Sequence, residues 1–333
     1  MEKKENKNET QVRLFERIQK ELPGSSYLAK IIAEMFGIGI DAAYRRIRGE
    51  KLLNFEETEK LCKHFGISLD TLFYGTDTKQ YRFIPDDLKN IKNYFATALQ
   101  MSAITERVHR IPDCEIILSA ADIPAYHFVA YKELTFFNIF SWHKNVYDIP
   151  ENYEDFVNQL DVNVITEVCS SIYDNYKKIP STEIWTDQTI DSTLKLLQLH
   201  FELDHFSNHN NLLIICNQLL ELVHKLQEWI KRGRKGEANI PFYFYVNQID
   251  IGNTLIFMKN QIRNRCIVRL FTINGIEISD ERFCMEVNEW LESLIKHSIL
   301  ISGTSSKERF VFLTAQKQKI TEFIDKINSL IMI

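Results

Sequence analysis

The chain has 333 residues, of which 45% are hydrophobic and 26% charged, and its formal net charge at pH 7 is −5. This length and apolar content suffice for two or three folded domains and exclude a chain that is disordered throughout. The mildly acidic balance argues against a protein that coats nucleic acid without selectivity.

The first predicted helices lie between residues 25 and 47. Ser25 or Ser26 can cap a helix whose apolar residues recur at helical spacing, and Gly37 is typical of the position just past a helix end. A second helix follows the glycine turn and places three aliphatic residues on one face, which we expect to be buried: Ile40, Ala43 and Ile47. Its opposite face and C-terminal end carry four cationic residues: Arg45, Arg46, Arg48 and Lys51.

Two further short helices complete this predicted region. Asn54 caps the first of them, Glu57 stands three residues later in a capping-box pattern, and Gly66 ends the helix. We expect the inner side of this helix to be lined by four residues: Phe55, Thr58, Cys62 and Phe65. Ser68 caps the last helix, which is predicted to run to residue 73.

Two short helices joined by a turn that contains glycine match the helix-turn-helix unit. The segments IAEMFGI, RRIRGEK and LCKHFGISLDTLF resemble the Xre/Cro family of helix-turn-helix domains, and AYRRIRGE resembles the related BetR-type regulators of bacteria. The resemblance covers residues 10–76 and implies a five-helix, repressor-like domain that binds double-stranded DNA. One position departs from the family, because Arg46 stands where the common pattern has a buried aliphatic residue.

The resemblance places the second helix in the major groove, where its residues would have distinct roles. Arg45 lies near the centre of the outward face, where a guanidinium can donate two hydrogen bonds to a guanine edge. Asp41 and Ala42, at the helix start, would tune the reading of neighbouring bases. The remaining candidates are expected to contact phosphates, which fix register without reading sequence: Ser25, Ser26, Arg46, Arg48 and Lys51.

Any DNA affinity of this region must come from the positions of its cationic side chains and not from its net charge. Residues 1–78 contain thirteen Lys and Arg against thirteen Asp and Glu, so this region has no net formal charge. Binding would therefore depend on the few placed cations and on dimerisation, which doubles their number on one duplex. We expect a homodimer that sets two recognition helices in successive major grooves.

A polar linker over residues 77–84 is predicted to precede a mainly helical middle region over residues 85–233. Its first helix, 85–109, would form a dimer stem or pack on its own chain. The aromatic-rich stretch after it is expected to be core. Further helices are predicted over 151–178 and 187–232, the latter broken at 207–211 into a helical hairpin, with an extended segment at 114–123. No sustained 34-residue repeat supports a tetratricopeptide solenoid.

Residues 234–333 are predicted to form an α+β regulatory domain. Three strand-like segments, PFYFYVNQIDI, NTLIFMKN and RCIVRLFTINGIEI, alternate apolar and polar residues, and Asn274-Gly275 is typical of a two-residue hairpin turn. Two more strands, 299–302 and 309–313, and two helices follow. We expect an antiparallel sheet with helices on one face, broadly similar in architecture to small sensory domains of the PAS or GAF kind.

The sequence predicts no enzyme and no cofactor. It has no Walker-type loop, no GxSxG and no GxGxxG that opens a helix. The densest metal-like group, His200, Asp204, His205 and His209, is better explained as polar residues at helix ends, since the intervening residues favour a turn. Six dispersed cysteines without a CxxC pair favour reduced thiols in a cytoplasm, and no segment is predicted to cross a membrane.

These observations together predict a cytoplasmic, bacterial, sequence-specific transcriptional regulator. Its fold would be mainly α with a C-terminal α+β part that senses a signal or mediates assembly. An unknown small-molecule effector could bind in the aromatic-rich middle or in the terminal sheet. The main alternative is a protein-interaction module that uses the helix-turn-helix fold as a docking surface without binding DNA. The neutral charge of the N-terminal region favours it slightly, whereas the cationic cluster from Arg45 to Lys51 disfavours it.

Overall fold

The computed structural model describes residues 9–20, 25–67, 81–83, 91–261, 263–269 and 275–331. The chain is mostly helical, with a mixed β-sheet in its C-terminal part. It divides into two compact units, Met1–Gln80 and Tyr81–Ile333, and the division falls within the predicted linker.

The described part of the N-terminal unit contains four helices: α1 Glu9–Lys20, α2 Ser25–Phe36, α3 Ile40–Ile47 and α4 Phe55–Phe65. Glycines at positive φ follow two of them, with Gly37 at 63° and Gly66 at 64°, and Gly66 is the left-handed cap of α4. The predicted capping box is confirmed, because Asn54 Oδ1 accepts from the Glu57 amide and the Glu57 carboxylate accepts from the Asn54 amide. The predicted helix that begins at Ser68 lies outside the described residues.

The core of this unit joins apolar residues from all four helices: Leu14, Phe15, Ile18, Leu28, Ile32, Ala43, Leu61 and Ile67. On α4 the buried residue is Leu61, whereas the predicted Thr58 and Cys62 are half-buried and outside this core. Two further residues predicted to face the core, Ile40 and Phe55, are exposed, Phe55 by 80%. Each is the first residue of its helix and lies past the edge of the core. On α3 the buried residues are Ala43 and Arg46, so a charged side chain occupies a core position.

The second unit contains nine described helices around a sheet. They are α5 Ile91–Arg110, α6 Ala125–Phe128, α7 Lys132–Tyr147, α8 Tyr153–Asn158, α9 Val162–Tyr176, α10 Asp191–Glu202, α11 His209–Arg232, α12 Glu281–Lys296 and α13 Ser306–Ile331. The strands are β1 Tyr81–Phe83, β2 Glu115–Ala120, β3 Ser181–Thr186, β4 Arg234–Lys235, β5 Ile240–Asn247, β6 Leu255–Lys259, β7 Arg265–Arg269, β8 Gly275–Ile278 and β9 Ile299–Leu300.

The sheet is mixed, which corrects the predicted antiparallel sheet. The strand order is β1-β8-β7-β6-β2-β3-β5-β4, and β9 pairs with β5. The pairs β2–β3 and β3–β5 are parallel, whereas the remaining pairs are antiparallel. Because β2 and β3 come from the region predicted as mainly helical, the predicted boundary at residue 234 divides one continuous sheet.

Helices cover both faces of the sheet, which corrects the prediction of helices on one face. On one side α12 packs its buried face against apolar residues of the central strands, among them Ile117, Ile184 and Phe257. On the other side Trp185, Phe242 and Phe244 join a large core with residues of α6, α7, α9, α11 and α13. Strands covered on both sides lose the alternation by which half-buried strands are recognised.

Several predicted elements are displaced by tertiary packing. Residues 181–186, between the two predicted helices 151–178 and 187–232, form strand β3, for which no strand was predicted, and residues 309–313 belong to α13 rather than to a strand. Arg269 pairs with Gly275, so that glycine is a strand residue and not a turn residue. The chain does break between two helices near the predicted place, but the break covers residues 203–208, and residues 209–211 already belong to α11. Helix α11 packs chiefly along α13 and α7 instead of forming a hairpin with α10.

The predicted stem helix corresponds to α5, which packs along α9 of its own unit. Ser102 and Ser171 join the two helices through a hydrogen bond of 3.0 Å. The second of the two predicted roles, packing on its own chain, therefore describes this helix. Among the described residues no helix combines the length and apolar character needed to cross a bilayer.

Candidate nucleic-acid interface

Helix α3 is held by its buried face and presents the other to solvent. Gly39, in extended conformation, precedes its first turn, and the Arg48 amide closes its end by donating to the carbonyls of Tyr44 and Arg46. The chain then turns through Gly49 at φ 73° and reaches the Asn54 cap of α4. This short connection keeps the end of α3 beside the start of α4.

The exposed face of α3 and the turn after it carry most of the predicted contact residues. Asp41, Arg45, Arg48 and Lys51 are exposed, and Ala42 is half-buried. Among these, the side chain of Arg45 is 61% exposed and that of Arg48 is 55% exposed. The predicted contacts of Ser25 and Ser26 concern side chains outside the described residues, although α2 begins at Ser25.

A single carboxylate lies between the two exposed arginines. Arg48 Nε donates to Glu50 Oε1 at 2.6 Å, and Arg45 Nε lies 3.8 Å from Glu50 Oε2. The hydrogen bond from Arg48 lowers the pKa of Glu50 and raises the pKa of Arg48. Exposed ion pairs of this kind contribute little to stability, so both guanidinium groups can exchange Glu50 for another anion.

Arg46 corrects the predicted set of phosphate contacts, because its side chain lies in the core. The residue is 4% exposed, and its Nη2 donates to Glu57 Oε1 at 2.7 Å. Its Nε lies 3.2 Å from each Glu57 oxygen, and its Nη1 donates to the Ala42 carbonyl at 3.3 Å. The hydrogen bonds from Arg46 lower the pKa of Glu57. A guanidinium held in this way cannot reach a phosphate on the outer face.

Gln11 of α1 joins this arrangement and was not anticipated from the sequence. Its Nε2 donates to the carbonyls of Arg46 at 2.7 Å and Lys51 at 2.8 Å, and its Oε1 accepts from the Leu53 amide at 2.9 Å. The partners lie 35 to 42 residues away in the chain. No local pattern signals an amide so distant from the backbone groups that it binds.

The second unit contains a fully enclosed polar cluster centred on Glu183. The carboxylate has no exposed surface and accepts from His127 Nε2 at 2.8 and 2.9 Å, from Trp185 Nε1 at 2.8 Å, and from the Tyr176 hydroxyl. Burial raises the pKa of Glu183, but the attraction and hydrogen bonds of His127, with the hydroxyl of Tyr176, outweigh it and lower the pKa. Its neighbours therefore keep this carboxylate ionised.

Lys235 extends the cluster on the side of β4. Its Nζ donates to Ser181 Oγ at 2.6 Å and lies 3.2 Å from the centroid of the Tyr176 ring. Burial lowers the pKa of Lys235 well below its usual value, opposed by the charge of Glu183. The cleft beside His127, lined also by Tyr131, Tyr173 and Trp229, is too narrow for a water molecule. The cluster has no opening there for a substrate, and its geometry is that of a structural core.

The metal-like residues predicted to be ordinary polar groups lie around the turn between α10 and α11. His200 Nδ1 and His205 Nδ1 are 2.9 Å apart, and His200 Nε2 lies 2.9 Å from Ser141 Oγ. Asp204 is exposed and lies 3.7 Å from His209 Nε2. Within the described ranges no three His, Cys, Asp or Glu side chains converge on a position suited to a metal ion.

Comparisons with known proteins do not indicate a function for the exposed face of α3. No protein-family model, curated protein or solved structure matches the chain. Any function for the exposed cations of α3 must therefore be argued from their own geometry and charge.

Proposed function

We propose that the N-terminal unit is a helix-turn-helix domain of the Xre/Cro type and that the protein is a sequence-specific, DNA-binding transcriptional regulator. The observation that carries this proposal is the division of α3 into two faces. Ala43 and Arg46 are buried against the other helices, whereas Arg45 and Arg48 stand exposed on the opposite side. A short helix held in this way, with cations outward, suits the major groove.

The contact residues receive the following roles. Arg45 donates to a guanine edge, and Asp41 and Ala42 tune the neighbouring base positions. Arg48 and Lys51 contact phosphates at the end of the helix. Arg46 is removed from the phosphate set because Glu57 holds its guanidinium in the core. The proposed recognition surface is thus smaller than the sequence alone predicts.

A domain with so few outward cations needs a second copy to bind tightly at physiological salt. We therefore propose a homodimer in the cytoplasm, in which the second unit mediates assembly or responds to a signal, including a small-molecule effector. An event in that unit would change the spacing of the two recognition helices or the balance between monomer and dimer.

A second candidate is a protein-docking module that does not bind DNA. Exposed apolar side chains near α3 favour it, because Leu52 is 61% and Phe55 is 80% exposed. The two functions differ in their dependence on salt. Phosphate contacts release counterions, so DNA affinity falls steeply as salt rises, whereas contacts of apolar side chains respond weakly.

The test is a selection from random duplex oligonucleotides with the purified full chain. We expect enrichment of a motif with two-fold symmetry, since a symmetric dimer reads two related half-sites. The selected duplex and an unrelated duplex are then titrated at low and raised salt. Absence of any enriched motif would remove the proposal of sequence-specific binding.

A further inference from the structure

The ion pair between Arg46 and Glu57 occupies a place where an aliphatic side chain would serve stability at least as well. Arg46 is almost fully buried on α3, and Glu57 lies in the first turn of α4 with a side chain 15% exposed. Removing two charges from water is costly, and apolar replacements of buried ion pairs are often no less stable. Stability therefore does not explain why a charged pair stands here.

The geometry of the pair restricts orientation more than an apolar contact would. The guanidinium uses Nε and Nη2 on the Glu57 carboxylate and Nη1 on the Ala42 carbonyl, one turn earlier on α3. The same carboxylate accepts from the Asn54 amide at 3.2 Å as part of the capping box. A planar, forked donor on a carboxylate that is itself held fixes the rotation of α3 relative to the start of α4.

Gln11 supplies a second, independent restraint from α1. Its amide binds the carbonyls of Arg46 and Lys51 and the amide of Leu53, so it spans the turn that follows α3. The residue is buried, and both ends of its side-chain amide are used. These hydrogen bonds therefore fix the position of the backbone that carries Arg48 and Lys51 relative to α1.

We propose that Arg46, Glu57 and Gln11 are positioning residues that set the orientation of α3 for base reading. This inference rests on the proposed DNA binding. A bidentate contact to a base requires a narrow range of positions, whereas phosphate contacts tolerate displacement. Loosening the restraint therefore lowers affinity for the selected duplex and leaves affinity for an unrelated duplex nearly unchanged.

The experiment uses the full chain with the double substitution Arg46→Leu and Glu57→Gln. Leucine supplies the aliphatic side chain that suits this core position, and glutamine keeps an acceptor for the Asn54 amide. We measure the dissociation constants for the selected and the unrelated duplex, their salt dependence, and thermal unfolding. The affinity for the selected duplex divided by that for the unrelated duplex should fall about tenfold or more. The slope of log affinity against log salt concentration should stay the same. The matched control is Glu59→Gln, an exposed carboxylate of α4 that pairs with Lys63.

A second variant keeps the inference testable if the double variant does not fold. Arg46→Lys retains the charge opposite Glu57 but loses the fork, and it should fold and still lower the affinity ratio. Gln11→Leu should act in the same direction. A folded Arg46→Lys or double variant with the ratio of the unmodified chain overturns the inference and leaves the proposed function intact. Failure of the unmodified chain to prefer any duplex overturns the proposed function and the inference together.

Discussion

Each of the two units buries a carboxylate, and the two are enclosed in different ways. Glu57 keeps one edge at the surface and depends mainly on one cation, Arg46, supplied by the helix that carries the exposed arginines. Glu183 has no exposed surface and takes its hydrogen bonds from α6, α9 and β3, with Lys235 of β4 nearby. Glu57 lies beside the buried face of α3, whose opposite face is the proposed binding surface, and Glu183 lies in the centre of a core.

The difference indicates what each buried charge does. A fully enclosed carboxylate with several hydrogen-bond donors links the sheet to the helices that pack on it. Its removal should therefore lower the free energy of unfolding. A partly enclosed pair beside an exposed helix face mainly sets an orientation. Changes at Glu183 should therefore alter unfolding of the second unit, and changes near α3 should alter DNA binding.

The largest expected effect is that of Glu183→Ala. Its removal leaves buried donors of His127, Tyr176 and Trp185 without their acceptor, and about 3–5 kcal/mol of unfolding free energy should be lost. Urea denaturation followed through the tryptophan fluorescence of the second unit measures this loss. Glu167→Ala, at an exposed position of α9, is the control and should change stability little. A loss of less than about 1 kcal/mol at Glu183 would contradict the assigned role.

The next effect concerns pH and depends on His200. Burial, followed by the charges of His205 and Lys144, lowers the pKa of His200 to about 4. An unfolded histidine takes up its proton near pH 6.5, so between that pH and about 4 the unfolded chain binds more protons. Stability of the second unit should therefore fall as pH drops through this window, by up to about 3 kcal/mol for the full shift.

Denaturation at pH 7, 5.5 and 4.5 measures this slope. His200→Phe should flatten it, whereas His297→Gln, at an exposed histidine, should leave it unchanged. Glu183 adds to this loss only at the acid end of the window, as the pH falls through the ordinary carboxyl pKa of 4.5. The pKa of that carboxyl is lowered, so its stabilising contribution is retained above the ordinary carboxyl pKa and is lost progressively below it. An unchanged slope in His200→Phe would assign the pH dependence to another group.

The two clusters also show which features of the structure can be predicted from the sequence and which cannot. The capping box of Asn54 and Glu57 and the glycines after α2 and α4 were predicted correctly because their partners lie within a few residues. The burial of Arg46 had only an indirect signal, its place in a family pattern that has an aliphatic residue there. Its partner Glu57 belongs to the next helix, and the local pattern does not reveal that pairing.

Strand β3 and the cluster around it were missed for a related reason. The segment STEIWT contains four polar side chains out of six and lacks alternation, yet every residue of it is buried. Its polar atoms are satisfied by tertiary partners, such as those of Glu183, which no local window contains. Lys235 belongs to the basic stretch KRGRKG, which has the composition of a solvated connector, although the residue is fully buried.

At the proposed interface, the larger effect is expected for Arg45→Ala. Loss of a bidentate guanine contact should relax preference at one base position by about tenfold or more. Competition among duplexes that differ from the selected motif by single base pairs measures the change. Lys51→Ala is the comparison, because loss of a phosphate contact weakens binding to all sequences alike and lowers the salt slope by about 1. Equal relaxation in both variants would assign base reading to another residue.

The smallest effect is expected at Glu50, and it tests whether this carboxylate competes with DNA phosphates for Arg45 and Arg48. Glu50→Gln removes the carboxylate that accepts from Arg48 and lies beside Arg45. Both guanidinium groups are then freer to bind phosphates, so affinity for the unrelated duplex should rise about two- to fivefold. Glu56→Gln, an exposed carboxylate in the first turn of α4, controls for the change in net charge. Affinity for the selected duplex should rise less, because there the arginines already exchange Glu50 for DNA at defined positions. If affinity rises equally in Glu50→Gln and Glu56→Gln and on both duplexes, Glu50 acts only through net charge. If the affinity for the selected duplex relative to the unrelated one falls in Glu50→Gln alone, the place of Glu50 between the arginines contributes to specificity.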